Sequence, residues 1–364
     1  MITAQYLLIG LVAFAGTFFV TPVVRAMCLR RGFVAEPGAR KIHTKPVPEM
    51  GGMAILFGIA LATGLHFAAE SFFGWTGFHA DAAITPLMLV GVAFGTFIVY
   101  TTGLIDDILD ISAGFKLAGQ IVAGLVVAFS GVKLSGIANP FGEGLISFGW
   151  FTIPLTVLYF VAFANIINLV DGMDGLAAGI SGIAAVSLAI IAAQQAEWSA
   201  AIIAIAVAGS CLAFLRYNFY PASIFMGDQG ALMLGFLLGA ISLLGVLKTP
   251  ATLSFALPFI ILAVPILDTF SAIVRRLRAH LPIKQRDTGH VHHRLMRRGY
   301  GQRRTALIVY AWSILLGVGG FLIAEAEPFL RLVVVIMLFV ITAILTWWLN
   351  LFGVVYHHPD SDVS

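Results

Sequence analysis

Apolar stretches of roughly 20 residues recur along the chain, separated by short polar loops. The runs fall near 2–27, 51–69, 84–105, 116–131, 150–168, 175–194, 199–215, 230–247, 252–274, 305–324 and 328–351. A helix of that length crosses a hydrocarbon core of about 30 Å. A transmembrane barrel would instead alternate apolar and polar residues over stretches of about 10. The pattern therefore predicts an all-α fold, a polytopic membrane bundle of about eleven transmembrane helices. One catalytic domain is expected over 1–351, with a polar tail at 352–364.

Composition sharpens this picture. Of the 364 residues only 11% are charged and 60% are hydrophobic, whereas soluble domains carry about 25% charged residues. Mean hydropathy is +0.98. A soluble enzyme, a disordered chain and a disulfide-rich module are all excluded. The two cysteines, Cys28 and Cys211, sit at the ends of separate apolar runs and make no metal-binding spacing.

The net charge of +3 says little, but its distribution says more. Eighteen of the 21 Lys and Arg residues fall on one side of the predicted bundle: Arg25, and the loops 28–50, 105–116, 168–175, 216–229 and 275–304. Lys133, Lys248 and Arg331 are left for the other side. Positive residues mark the cytoplasmic side, which puts the N-terminus outside. Arg25 follows the first run, whereas a secretory signal carries its positive charge ahead of the run. The aspartates follow the same partition, with Asp106, Asp107, Asp110, Asp171, Asp174, Asp228, Asp268 and Asp287 all at cytoplasmic loops or helix ends.

Four constellations on that face carry chemistry. Asp106-Asp107, with Asp110, closes the third span. Adjacent carboxylates near hydrocarbon repel unless a cation shares them, and Mg2+ takes carboxylate oxygens while keeping positions for water and phosphate. Lys116 follows, where a lysine meets a phosphate as a point charge. In Asn165-Ile-Ile-Asn168-Leu-Val-Asp171-Gly-Met-Asp174 the polar residues recur every three positions, so successive ones share a helix face. Gly227-Asp228-Gln229-Gly230 opens the eighth span and sets a carboxylate at the positive end of a helix dipole. The loop 275–304 carries His290-Val291-His292-His293-Arg294 among ten basic residues. Zinc competes for these histidines, but the surrounding arginines favour an anion such as a nucleotide phosphate.

Together with Arg40 to Gly52 and Pro265 to Asp268, these stretches resemble the polyprenyl-phosphate N-acetylhexosamine-1-phosphate transferase family in family order. The His-x-His-His-Arg form is similar to its GlcNAc-1-phosphate branch, and the phospho-MurNAc-pentapeptide transferases are related. Ala231 stands where that family usually has Ser, and Thr288 where it often has Arg. The resemblance implies transfer of an N-acetylhexosamine 1-phosphate, GlcNAc-1-phosphate first, from a UDP-sugar to undecaprenyl phosphate. UMP is released and a lipid-linked surface glycan begins.

The implied setting is the bacterial inner membrane, with the active site cytoplasmic. The implied cofactor is Mg2+; Mn2+ takes the same oxygen ligands. Asp228 is the expected principal metal ligand and Asn168 the second. Lys116 and His290 are expected to hold phosphates, and Asp106, Asp107, Asp171 and Asp174 to line the catalytic pocket. Lys45, Asn165, His292, His293 and Arg294 are expected to bind substrate. A phosphate monoester has a second pKa near about 6, so the lipid needs little help from a base and direct in-line attack is expected. Expected partners are the two substrates and membrane lipids, with no nucleic acid; a homodimer stays open. The competing classes are another UDP-HexNAc specificity, including UDP-MurNAc-pentapeptide, and a transporter or flippase. Transporters place their polar residues near the midplane in repeated halves, and no repeat is visible here.

Overall fold

The computed structural model describes residues 2–35, 46–78, 84–138, 145–245, 256–282 and 287–353. Among these, ten helices are long and apolar enough to cross a membrane. They are α1 (Ile2–Arg31), α2 (Gly52–Phe73), α3 (Pro86–Leu109), α4 (Ala113–Ser130), α5 (Thr152–Val170), α6 (Leu176–Gln194), α7 (Trp198–Asn218), α8 (Gly227–Gly245), α12 (Gln302–Glu325) and α13 (Pro328–Trp348). The protein is a multi-pass helical membrane protein, and each of the ten matches a predicted run.

The ninth run corrects the expectation of an unbroken helix. It is split into α9 (Ala256–Ile261) and α10 (Ala263–Arg278). Pro265 lies in the first turn of α10 and has no N–H to continue a ladder from Ile261, so the helix restarts at Leu262. A short helix, α11 (Val291–Arg297), carries the histidines. Two small antiparallel pairs complete the described elements. β1 (Val34–Ala35) pairs with β2 (Val47–Pro48), and β3 (Gly136–Ala138) with β4 (Leu145–Ser147).

The core is layered by burial. Helix α8 is buried along nearly its whole length, packed against α2, α3, α5, α6 and α7. Helix α13 is outermost, with only Val334 and Leu338 of its residues buried. The bare face of Phe329, Ile336, Phe339 and Trp347 is the composition expected of a lipid-facing surface. Without a strong hydrophobic drive between helices in lipid, close packing depends on small residues. At Gly103 of α3, an added Cβ would lie 2.4 Å from the Gln229 Cα of α8. That close approach places the end of α3 beside the start of α8. Cys28 and Cys211 are free and buried.

Candidate active site

The acidic end is built from helix termini. Helix α3 stops at Asp110, which adopts a left-handed φ of 47°. Two residues on, Ser112 caps α4 by accepting from the Phe115 N–H at 3.4 Å. This tight reversal brings Lys116 back over the end of α3, with its Nζ 2.6 Å from Asp106 Oδ2. The same ammonium contacts Asp228 Oδ2. The other oxygen, Asp228 Oδ1, accepts from Asn168 Nδ2 at 2.9 Å. Residues 112 and 60 positions apart in sequence thus meet on one carboxylate.

Asp107 has a different task from its neighbour. Its Oδ1 accepts from the Asp228 N–H at 2.8 Å and its Oδ2 from the Gln229 N–H at 3.2 Å. First-turn amides of a helix have no partner inside it. A carboxylate from α3 therefore caps α8 and fixes the backbone that presents Asp228. Gly227, at φ 75°, turns the chain into that helix in a conformation few other residues adopt.

Asp171 follows α5 directly. Burial pushes its pKa up to about 8, and the nearby Asp228, Asp107, Asp174 and Glu49 charges add to the rise. Among the described residues the recess thus collects more negative charge than Lys116 offsets. Asp174 accepts from the Ala222 N–H at 2.9 Å and ties the turn after α5 to the segment before α8. Asn165 pairs with Gln120 of α4, its Nδ2 donating to Gln120 Oε1 at 2.5 Å.

The histidine segment is held separately. Asp268 of α10 meets His290 Nδ1 at 2.9 Å and accepts from the Val291 N–H at 2.8 Å. One carboxylate therefore starts α11 and sets the first histidine's ring, leaving Nε2 for another partner. His292 is 2% exposed, and neither ring nitrogen has a hydrogen-bond partner among the described residues. A Cβ on Gly172 would come within 3.1 Å of its ring, so His292 abuts the turn that carries Asp171 and Asp174. Burial, followed by the charge of His293, holds its pKa down at about 3, and it is neutral. The ring centroids of His292 and His293 are 4.2 Å apart.

The two arginines nearest this segment brace it. Arg294 donates from Nε to the Gly289 carbonyl at 2.7 Å and from Nη2 to the Gly353 carbonyl at 2.6 Å. Its guanidinium faces the end of α13, so it makes structural contacts there. Arg275 grips Asp287, its Nε at 3.0 Å from Oδ2.

Of the residues expected to act, the structure brings Asp106, Asp107, Lys116, Asn168, Asp171 and Asp228 into one recess, with His292 against the adjoining turn. Lys45 lies outside the described residues. The sequence reading gave no role to Gln120, Asn218 or Gln229. Asn218 accepts from the Gly175 N–H at 3.1 Å and donates to the Ile224 carbonyl at 2.9 Å. Gln229 is wholly buried, with an amide that has no partner among the described residues. The Gly-Asp-x-Gly context was the one available signal for Gln229; nothing local marked the other two.

Among the described residues no three His, Cys, Asp or Glu side chains group into a metal cage, which disfavours a structural zinc site. The oxygen donors do suit a hard cation that takes one or two carboxylates and completes its shell with water and phosphate. The Lys116 ammonium between Asp106 and Asp228 marks where positive charge is already accepted.

Residues 89–246 match the profile of glycosyl transferase family 4. The chain is also 34% identical to a probable undecaprenyl-phosphate N-acetylglucosaminyl 1-phosphate transferase of Bacillus subtilis, over 92% of this chain and 89% of that one. The chain belongs to glycosyl transferase family 4. The family match runs from α3 to the end of α8 and contains Asp106, Asp107, Asp171, Asp174 and Asp228. A decaprenyl-phosphate N-acetylglucosaminephosphotransferase of Mycolicibacterium smegmatis is 35% identical, over 86% of this chain and 80% of that one. A phospho-N-acetylmuramoyl-pentapeptide-transferase of Acetivibrio thermocellus is 29% identical, over 87% and 95%.

Proposed function

We propose that this family 4 enzyme transfers N-acetylglucosamine 1-phosphate from UDP-GlcNAc to undecaprenyl phosphate and releases UMP. The observation that carries the reading is the meeting of Asp106, Lys116, Asn168 and Asp228, from four helices, at the end of the bundle where the basic loops lie. A water-soluble nucleotide and a membrane-held phosphate have that interface in common. The charge partition makes it the cytoplasmic face of a bacterial inner membrane, with the N-terminus outside.

The reaction joins two anions, so charge is its main barrier. An oxygen of the lipid phosphate attacks the phosphorus that bears the sugar. The bond from that phosphorus to the bridging oxygen breaks, and the bridging oxygen leaves on UMP. Mg2+, or Mn2+ in its place, supplies Lewis-acid stabilisation of the charge that develops on the phosphoryl oxygens. Asp228 would hold that ion, with Asn168 and Asp106 beside it. Lys116 adds a mobile positive charge within reach of the diphosphate, and His290, steadied by Asp268, presents Nε2 to a phosphate oxygen. Asp107 aligns α8 through its backbone contacts. No residue is required to deprotonate the lipid phosphate.

A groove of about 680 Å³ lies between α9–α10 and α13, lined by Phe259, Ile266, Leu267, Leu338, Phe339 and Trp347. Leu351 and Phe352 also line it, and Arg294 of the histidine segment bonds the neighbouring carbonyls of Leu349 and Gly353, so one end of the groove lies near that segment. That supports a polyprenyl chain as the acceptor's anchor.

The test is purified protein given undecaprenyl phosphate, Mg2+ and a panel of UDP-sugars. UDP-GlcNAc should release UMP and form a lipid-linked product. Faster turnover of UDP-MurNAc-pentapeptide would move the protein to the other branch, and no UMP from any donor would end the reading. A burst of UMP without lipid acceptor would replace direct attack by a covalent intermediate.

A further inference from the structure

Both carboxylate oxygens of Asp228 are closed by N–H donors. Lys116 Nζ holds Oδ2, and Asn168 presents its amide nitrogen to Oδ1 at 2.9 Å. The Lys116 ammonium also sits 2.6 Å from Asp106 Oδ2, so it bridges the two carboxylates nearest the point where a cation would bind. Asp107 is committed differently: its two oxygens accept from the Asp228 and Gln229 N–H groups and cap α8. A divalent cation and an ammonium repel, so holding both on one carboxylate oxygen is costly.

We propose that Lys116 is a place-holder for the divalent cation: it bridges Asp106 and Asp228 and offsets part of their charge in the ion-free protein, is displaced from Asp228 when the ion arrives, and passes to a phosphate of the incoming nucleotide. The inference rests on the reading of Asp228 as a metal ligand. The lysine's flexible four-carbon stem permits the move without a backbone change. With no nucleotide present, displacement leaves an ammonium that has lost one of its two anionic partners, which opposes ion binding. A diphosphate supplies a new partner and removes that opposition. Ion and sugar nucleotide therefore bind with positive coupling, and Lys116 is the residue that couples them.

The experiment measures Mn2+ binding to ion-free protein in lipid nanodiscs, from the paramagnetic resonance signal of free Mn2+. Lys116→Met should bind Mn2+ about tenfold more tightly than wild type without nucleotide, within the usual range of coupling between sites. Lys116→Arg, which keeps the charge, should bind as weakly as wild type. Adding UDP should tighten Mn2+ binding about tenfold in wild type and have little effect in Lys116→Met. Asp228→Asn is the control and should lose Mn2+ in either background. If Lys116→Met binds Mn2+ no better than wild type while Asp228→Asn loses it, the place-holder role is wrong and the metal ligand stands. If Asp228→Asn retains wild-type Mn2+ affinity, both fall.

A second measurement needs no variant. Acetylation of Lys116 by an N-hydroxysuccinimide ester, read by mass spectrometry, should rise with Mn2+ alone and fall with Mn2+ and UDP together. Labelling that stays constant as Mn2+ saturates would also overturn the proposal.

Discussion

The acidic recess and the histidine segment face each other across one turn, yet they are built in opposite ways. The recess is made from the ends of long, well-packed helices. Its aspartates hold position because α3, α5 and α8 cannot move apart without opening the core, and among the described residues Lys116 is the cation they share. The histidine segment follows the broken helix α9–α10 and joins the core through Val291 and Leu295. It is fixed by polar contacts: Asp268 on His290 and Val291, Asp287 on Arg275, and Arg294 on the backbone after α13. Packing of long helices can hold charges that repel; a short helix with two apolar side chains in the core relies more on pairing its charges. The recess is therefore suited to receive a cation, and the histidine segment to present neutral or singly bonded imidazoles to an anion.

The largest effect that can test this contrast is loss of charge in the recess. Asp228→Asn should lower UMP release by about a thousandfold with the thermal midpoint nearly unchanged, since the packing around it remains. Wild-type-like turnover would remove the metal assignment. Next is the link between the two regions. Asp268→Asn frees His290 and should cost about 10–100-fold in kcat/KM, the worth of a hydrogen bond to a charged group. A loss as large as that of Asp228→Asn would mean that Asp268 belongs to the recess itself.

Arg294→Gln should act in the reverse sense. It should lower stability by about 1–3 kcal/mol through lost carbonyl contacts, seen as a reduced thermal midpoint, and change kcat less than either aspartate variant. If kcat collapses while the midpoint holds, Arg294 touches substrate after all.

The smallest effect is in pH dependence, and its sign separates the regions. Asp171 has a folded pKa of about 8, above its unfolded value near about 4. The native state then binds more protons, so ion-free stability falls as pH rises from about 4 through about 8. His292 has a folded pKa of about 3, below its unfolded value near about 6.5, so its contribution is lost as pH falls through that window. In chelator, Asp171→Asn should flatten the first slope and His292→Gln the second, read as thermal midpoint against pH. Divalent ion should suppress the first slope and leave the second. The same slope in both variants would show that these two groups do not govern it.

Much of this was legible in the sequence because it is written locally. The apolar runs marked the spans, and the spacing of Asn165, Asn168 and Asp171 marked a polar face no lipid would tolerate. Asp107 shows the limit. By sequence it is indistinguishable from Asp106, but one pairs with Lys116 and the other caps a helix that starts 120 residues later. Arg294 reads as a substrate-binding residue in a basic motif, and only the fold shows that it also bonds the carbonyls of Gly289 and Gly353.

The sequence by itself determined that this is a membrane bundle, that its acids and histidines share one face, and which family its motifs resemble. These follow from hydropathy, charge and spacing, which act over a few turns of chain. Tertiary structure alone decided which aspartate meets the lysine, which caps α8, and which histidine is buried without a partner. Those outcomes depend on how helices distant in sequence pack, and a hydrogen bond between residues more than a hundred positions apart leaves no mark on the residues around either one.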